Sequence, residues 1–367
     1  MSHDGFGKDL LRGIERTVHG GQAWRLECIE DFSHNLNPFG PPDLSDAIMG
    51  ALDDIWHYPD DGCLRLKEAL GKAFSVKTNE VMVGAGSSEI IRNFPHTFLN
   101  RGDKVLICNP SFAEYSQQCR LLGIEVVNYQ LRGSNDYRID LDEYLGMLDG
   151  VKAVYICNPN NPTGRIESKD RIIRIVKECE SRGILVFLDE TLLDLVHGWR
   201  GISLVPEVSR FTNLVIAGSF TKSFAVPGIR IGYGFACNSL VQEMDKVRMS
   251  WNLGAIEQAV SMELLDRMDY VDKASEIMHK ESKRVHKRLN DIGFPLSSPP
   301  DSFFCFCSVR PLGFKAVDFQ RALLEHGVMV RDCSSFGFDD CIRFSIKDRE
   351  RNDVLMDAIE NVIKGRA

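Results

Sequence analysis

Lys222 lies in the stretch AGSFTKSFAVPGIRIGY (Ala217 to Tyr233), with Ser219 and Thr221 before it and Arg230 eight residues after it, just where an apolar β-like run ends. An amine held beside another cation and partly out of water loses its proton more readily and becomes a nucleophile. Other polar groups follow apolar runs in the same way. Asp189 closes ILVFLD, NPNNPTG (Asn158 to Gly164) follows VYIC, and GAGSSE (Gly84 to Glu89) follows VMV and opens a helix. A Gly-Ser-Ser turn at a helix N-terminus offers backbone N–H groups and hydroxyls to an anion. Ser87, Ser88, Ser219 and Arg230 are the residues that would share such an anion.

Each signal alone is weak, because a glycine-rich turn is usually only a turn and an aspartate ending a strand is more often a helix cap. Together they combine a phosphate pocket, a reactive amine and a carboxylate able to hold a pyridinium proton. That set matches the cofactor pyridoxal 5′-phosphate (PLP).

The elements that must position these residues are legible in the apolar pattern. From about Val81 to Gly234, short runs such as DKVLICNP, IEVVNY, VKAVYICNP, ILVFLDE and NLVIAGSF alternate with amphipathic stretches such as AEYSQQCRLLG and SKDRIIRIVKECESRG. Runs rich in Val, Ile and Leu that alternate with helices predict a mostly parallel sheet covered on both faces, an α/β domain. In such sheets ligands bind beyond the carboxyl ends of the strands, which is where the polar residues fall. The rest differs. A long charged helix, YVDKASEIMHKESKRVHKRLNDIG, precedes the short runs FFCFCSV and CIRFSI and a closing helix, RNDVLMDAIENVIKG. A chain of 367 residues exceeds one compact core. The expected division is an N-terminal segment, 1–50, associated with the small domain and the active site, a large PLP-binding domain, 51–254, and a small α+β domain, 255–367.

Composition excludes several classes. The net charge of −8 argues against a nucleic-acid surface, which favours a basic footprint. No apolar run reaches transmembrane length, and the polar start MSHDGFGKDLLRGIERTVHGG lacks the apolar core of a signal peptide, so a cytoplasmic protein without a membrane partner is expected. The eleven cysteines are odd in number and never spaced as CxxC, which points to buried, reduced thiols rather than a metal site or disulfides. Cys305 and Cys307 alternate with phenylalanines and are expected on one face of a strand.

NPNNPTG, DE and SFTKSFAVPGIRIGY, in that order, strongly resemble the fold-type I PLP enzymes of the aminotransferase superfamily, and the likeness covers nearly the whole chain. The resemblance implies that Lys222 holds the cofactor aldehyde and later moves protons, and that Asp189 keeps the pyridine nitrogen protonated. It further implies that Asn161 bonds the ring 3-oxygen, that Phe112 stacks on the ring, and that Ser87, Ser88, Ser219 and Arg230 hold the phosphate. Tyr58, in WHYPD, matches a tyrosine that reaches the cofactor phosphate of the other subunit, implying a homodimer, and Arg343, in CIRFSI, matches the arginine that receives the substrate carboxylate.

Two groups within the superfamily compete, histidinol-phosphate aminotransferases and the L-threonine-O-3-phosphate decarboxylases of cobamide biosynthesis. VHGG (His19 to Gly21) followed by DFSHNLNPFGPP is similar to the decarboxylase N-terminal signature, and PSFAEY to its PGFAEY. Aminotransferases of this kind carry a tyrosine three residues after the aspartate, where this chain has Leu192 and the decarboxylases are likewise apolar. Thr191 and the SS of GAGSSE differ from both groups. The resemblance therefore implies a decarboxylase of a small phosphorylated amino acid, threonine- or serine-based, with His19, Gly20, Asn35, Asn37, Arg331 and Arg343 around the substrate. A non-catalytic PLP-binding regulator is a remote alternative, because Lys222 and Asp189 are both present and no stretch is left for a helix-turn-helix domain.

Overall fold

The computed structural model describes residues 11, 13–17, 26–27, 29–294, 296 and 299–365. Strands β1 (Glu30–Asp31), β2 (Val81–Gly84), β3 (Lys104–Asn109), β4 (Glu125–Gln130), β5 (Val151–Cys157), β6 (Leu185–Asp189), β7 (Leu214–Gly218), β8 (Gly232–Ala236), β9 (Phe304–Ser308), β10 (Val328–Met329), β11 (Arg331–Asp332) and β12 (Cys341–Ser345) form three sheets. The largest has seven strands in the order β2-β8-β7-β6-β5-β3-β4. All run one way except β8, which lies antiparallel between β2 and β7.

Side chains alternate across a strand, so strands that are apolar throughout must be covered on both faces. Val154 and Ile156 of β5, Val186 and Leu188 of β6, and Leu214 and Ile216 of β7 enter one core cluster. Their neighbours Ala153, Tyr155, Phe187, Val215 and Ala217 enter another. The amphipathic stretches between the strands form the covering helices, among them Ser87–Phe98, Ala113–Leu121 and Lys169–Ser181.

A smaller antiparallel sheet, β11-β12-β9, and the parallel pair β1–β10 build around a separate core containing Phe32, Leu289, Cys305, Cys307, Ile342 and Phe344. Cys305 and Cys307 thus share a face, while Phe304 packs into the large core. The ten described cysteines are free, and all but Cys237 are buried. Helix Met268–Asp291 runs between the two cores, placing Val271, Ala274 and Met278 in the large one and Val285 and Leu289 in the small one. Helix Ala255–Leu265 sends Val260 and Leu264 into the large core. The change of core therefore comes inside the long helix. Among the described residues no helix is long and apolar enough to cross a membrane.

Candidate active site

A cavity of about 1070 Å³ opens at the carboxyl ends of β5, β6 and β7, at the upper end of the range for small-molecule sites. Eleven of the residues singled out in the sequence line it: Lys222, Asp189, Asn161, Ser87, Ser88, Phe112, Ser219, Arg230, Asn35, Arg331 and Arg343. They come from around the seven-stranded and three-stranded sheets and from the segment after β1.

Lys222 stands on the four-residue helix Phe220–Ser223 that follows β7. Ser219 caps this turn, its Oγ accepting from the Thr221 N–H at 3.1 Å and donating to the Ile231 carbonyl at 3.0 Å. The cap ties the lysine turn to the start of β8. Burial, and then the nearby Arg343 and Arg230 guanidinium groups, push the Lys222 ammonium down to about 8. A useful fraction of free amine is thus present near neutral pH.

Asp189 ends β6 and is buried. Its Oδ2 accepts from the Tyr115 hydroxyl at 2.5 Å and its Oδ1 from the Thr191 N–H at 2.9 Å. Burial raises the carboxyl above its usual range, and these two bonds oppose the rise. Held so, the carboxylate can keep a proton on an aromatic ring nitrogen.

Within NPNNPTG the asparagines divide their duties. Asn158 binds the Glu167 carbonyl, Asn160 binds the Pro110 carbonyl and Thr163 Oγ1, and both are buried in the loop itself. Asn161 faces the cavity, and its Oδ1 accepts from Arg343 Nη1 at 2.5 Å. Arg343 also donates through Nη2 to the Ser33 carbonyl at 2.6 Å, while its buried Nε–H has no partner. Burial pushes the Arg343 guanidinium down to about 10, which leaves it cationic at neutral pH.

The anion cradle is built by closeness. Gly86, at φ +78, caps helix Ser87–Phe98, and a Cβ there would lie 2.3 Å from Arg230 Nη2. A Cβ on Gly232 would lie 2.1 Å from the Ser87 nitrogen. Only glycines allow the guanidinium, the helix N-terminus and β8 to converge. The cradle suits a phosphate, and with Lys222 and Asp189 on the same cavity the residues fit PLP.

Other expected residues fall elsewhere. Asn37 does not line the cavity: its Nδ2 donates to the Ser223 carbonyl at 2.8 Å and its Oδ1 accepts from the Phe39 N–H, so both ends of the amide hold the backbone. Tyr58 is 75% exposed and away from this cavity, its ring stacked on Trp251 at 4.4 Å between centroids. His19 and Gly20 lie outside the described residues. Tyr115 and His34 are among the lining residues that were not foreseen. Tyr115 falls three residues after Phe112 on the helix that Phe112 caps, a spacing that puts both on one face. His34 sits inside the very motif that drew attention to Asn35, with no periodicity to mark it.

Residues 31–359 match the family described as aminotransferase class I and II. Two relatives from Caldanaerobacter subterraneus subsp. tengcongensis are similar to the chain. One, named "Histidinol-phosphate aminotransferase", is 30% identical over 97% of this chain and 99% of its own. The other, named "Putative threonine-phosphate decarboxylase", is 29% identical over 94% and 93%. The fold is similar to the crystal structure of histidinol-phosphate aminotransferase from Sinorhizobium meliloti in complex with pyridoxal 5′-phosphate, with a TM-score of 0.87, 22% identity and full coverage of both chains. The chain belongs to the class I and II aminotransferase family, PLP-dependent enzymes of fold type I.

Proposed function

We propose that this enzyme decarboxylates an O-phosphorylated amino acid, L-threonine O-3-phosphate, to 1-amino-2-propanol phosphate for the nucleotide loop of a cobamide. O-phospho-L-serine is the nearest alternative substrate, one methyl smaller, a difference worth only about 1–3 kcal/mol in a pocket. The observation that carries the reading is Leu192. It lines the cavity three residues beyond Asp189 and is buried there, an apolar side chain where the resemblance gives aminotransferases a tyrosine hydroxyl beside the ring 3-oxygen.

Bound PLP supplies an aldehyde for the substrate amine and a ring that accepts the electrons of a bond broken at Cα. Lys222 offers a partly neutral amine for holding the aldehyde and for moving a proton at Cα. Asp189, fixed by Tyr115 and Thr191, keeps the proton on the ring nitrogen. Which bond at Cα would break depends on how the substrate is held. The groups that clamp the substrate anions, Arg331 and Arg343 with Asn35, therefore choose between losing a proton and losing carbon dioxide. We also read Tyr58 as reaching the neighbouring site of a homodimer, since it is exposed and stacks on exposed Trp251 rather than lining its own cavity.

A second reading, histidinol-phosphate aminotransferase, is favoured by the names of the relatives, most of which bear that one, including the Caldanaerobacter protein 30% identical to the chain. The test mixes PLP-loaded enzyme with L-threonine O-3-phosphate and no keto acid. Carbon dioxide release with formation of 1-amino-2-propanol phosphate is the expected result. Absence of release, together with amino transfer from histidinol phosphate to 2-oxoglutarate, would establish the second reading instead.

A further inference from the structure

We propose that His34 is a substrate-binding residue whose Nε2–H donates a hydrogen bond to the same substrate oxyanion that Arg343 holds. The choice of probes below rests on the phosphorylated-substrate reading.

The segment carrying His34 is pinned at both ends. The Phe32 N–H donates to the Met329 carbonyl at 2.7 Å and its carbonyl accepts from the Ser345 N–H at 3.0 Å, while the Asn37 N–H donates to the Lys222 carbonyl at 2.9 Å. His34 therefore sits between the small sheet and the lysine turn, and it lines the cavity. Its Nδ1 accepts from the Leu36 N–H at 3.3 Å, which puts the ring hydrogen of a neutral imidazole on Nε2. Among the described residues that N–H has no hydrogen-bond partner.

Two neighbours share the condition. Arg343 Nε and Asn35 Oδ1 are both buried in the same cavity wall without partners. Buried polar groups left unpaired are uncommon, and two of them beside the half-buried His34 mark a ligand position. Two of the three are donors, Nε–H and Nε2–H, as an oxyanion requires. Burial chiefly pushes the imidazole down to about 4. Asp31 pulls the other way, and Lys347, Lys222 and Arg343 add to the push. His34 is thus a neutral donor that adds no charge to an already cationic wall.

The test uses two ligands that each carry one of the candidate anions. L-Threonine has only the carboxylate, and 1-amino-2-propanol phosphate has only the phosphate. Dissociation constants are read from the absorbance of the bound cofactor in the holoenzyme and in His34→Asn, whose shorter amide still accepts the Leu36 N–H but falls short of the ligand. A hydrogen bond to a charged group corresponds to roughly a ten- to hundredfold loss. That loss is expected for one ligand, with the other held within about twofold, and the affected ligand identifies the oxyanion. His34→Gln, with a longer reach, is expected to recover most of the affinity. An equal loss for both ligands, or no loss for either, overturns the proposal. If the unaltered enzyme binds 1-amino-2-propanol phosphate no better than 1-amino-2-propanol, the phosphorylated-substrate reading has failed, and the L-threonine comparison still decides the role of His34.

Discussion

The Tyr115 hydroxyl donates to Asp189 Oδ2 at 2.5 Å, and both residues are buried in the cavity wall. This bond favours the ionised carboxylate against the burial that penalises it. Removing it in Tyr115→Phe raises the Asp189 carboxyl, so the aspartate takes up its proton at a higher pH. The acid limb of kcat is expected to move upward by about one pH unit, with kcat falling about tenfold. A pH–rate profile and the absorbance of the bound cofactor across the same range check this.

Lys222 is held down to about 8, first by burial and then by Arg343 and Arg230. Below that pH the amine is mostly protonated, and only the free amine attacks an aldehyde. Covalent capture of PLP by apoprotein should therefore speed up about tenfold per pH unit below pH 8 and level off above it. Removing one cation in Arg343→Gln lowers the repulsion and shifts that curve to higher pH. Rapid-mixing absorbance between roughly pH 6 and pH 10 spans the transition.

Gly86 has a positive φ and faces Arg230 Nη2 across a gap that a Cβ would close to 2.3 Å. Gly86→Ala must displace either the arginine or the helix N-terminus. PLP affinity is expected to fall by about ten- to a hundredfold, the equivalent of one charge-assisted bond. Equilibrium titration of apoprotein with PLP measures it, and unchanged affinity would remove Arg230 from the cradle.

Asn35 and Asn37 stand two residues apart in one motif but do different work. Asn37→Ala loses bonds to the Ser223 carbonyl and the Phe39 N–H, so it should cost about 1–3 kcal/mol of stability and leave KM within about twofold. Asn35 has an unpartnered Oδ1 in the cavity wall, so Asn35→Ala should raise KM about tenfold with little change in thermal unfolding. Unfolding curves and steady-state kinetics on the two variants separate the roles.

The apolar runs ending at Cys157, Asp189 and Gly218 were enough to read the parallel strands and the polar residues at their tips, because strands covered on both faces leave an unbroken apolar signature. Lys222, Asp189 and Arg230 followed from that reading, since residue type and position at a strand end already restrict the chemistry. The paired asparagines, the buried Tyr115 and His34 did not follow. Whether an amide faces a ligand or a carbonyl depends on neighbours far away in the chain: Asn37 meets Ser223, and Tyr115 meets Asp189, only after the sheet has closed. Local pattern determined which chemistry the chain could carry, and the tertiary structure decided which of the like residues face the cavity, because hydrogen bonds between distant segments are satisfied only by packing.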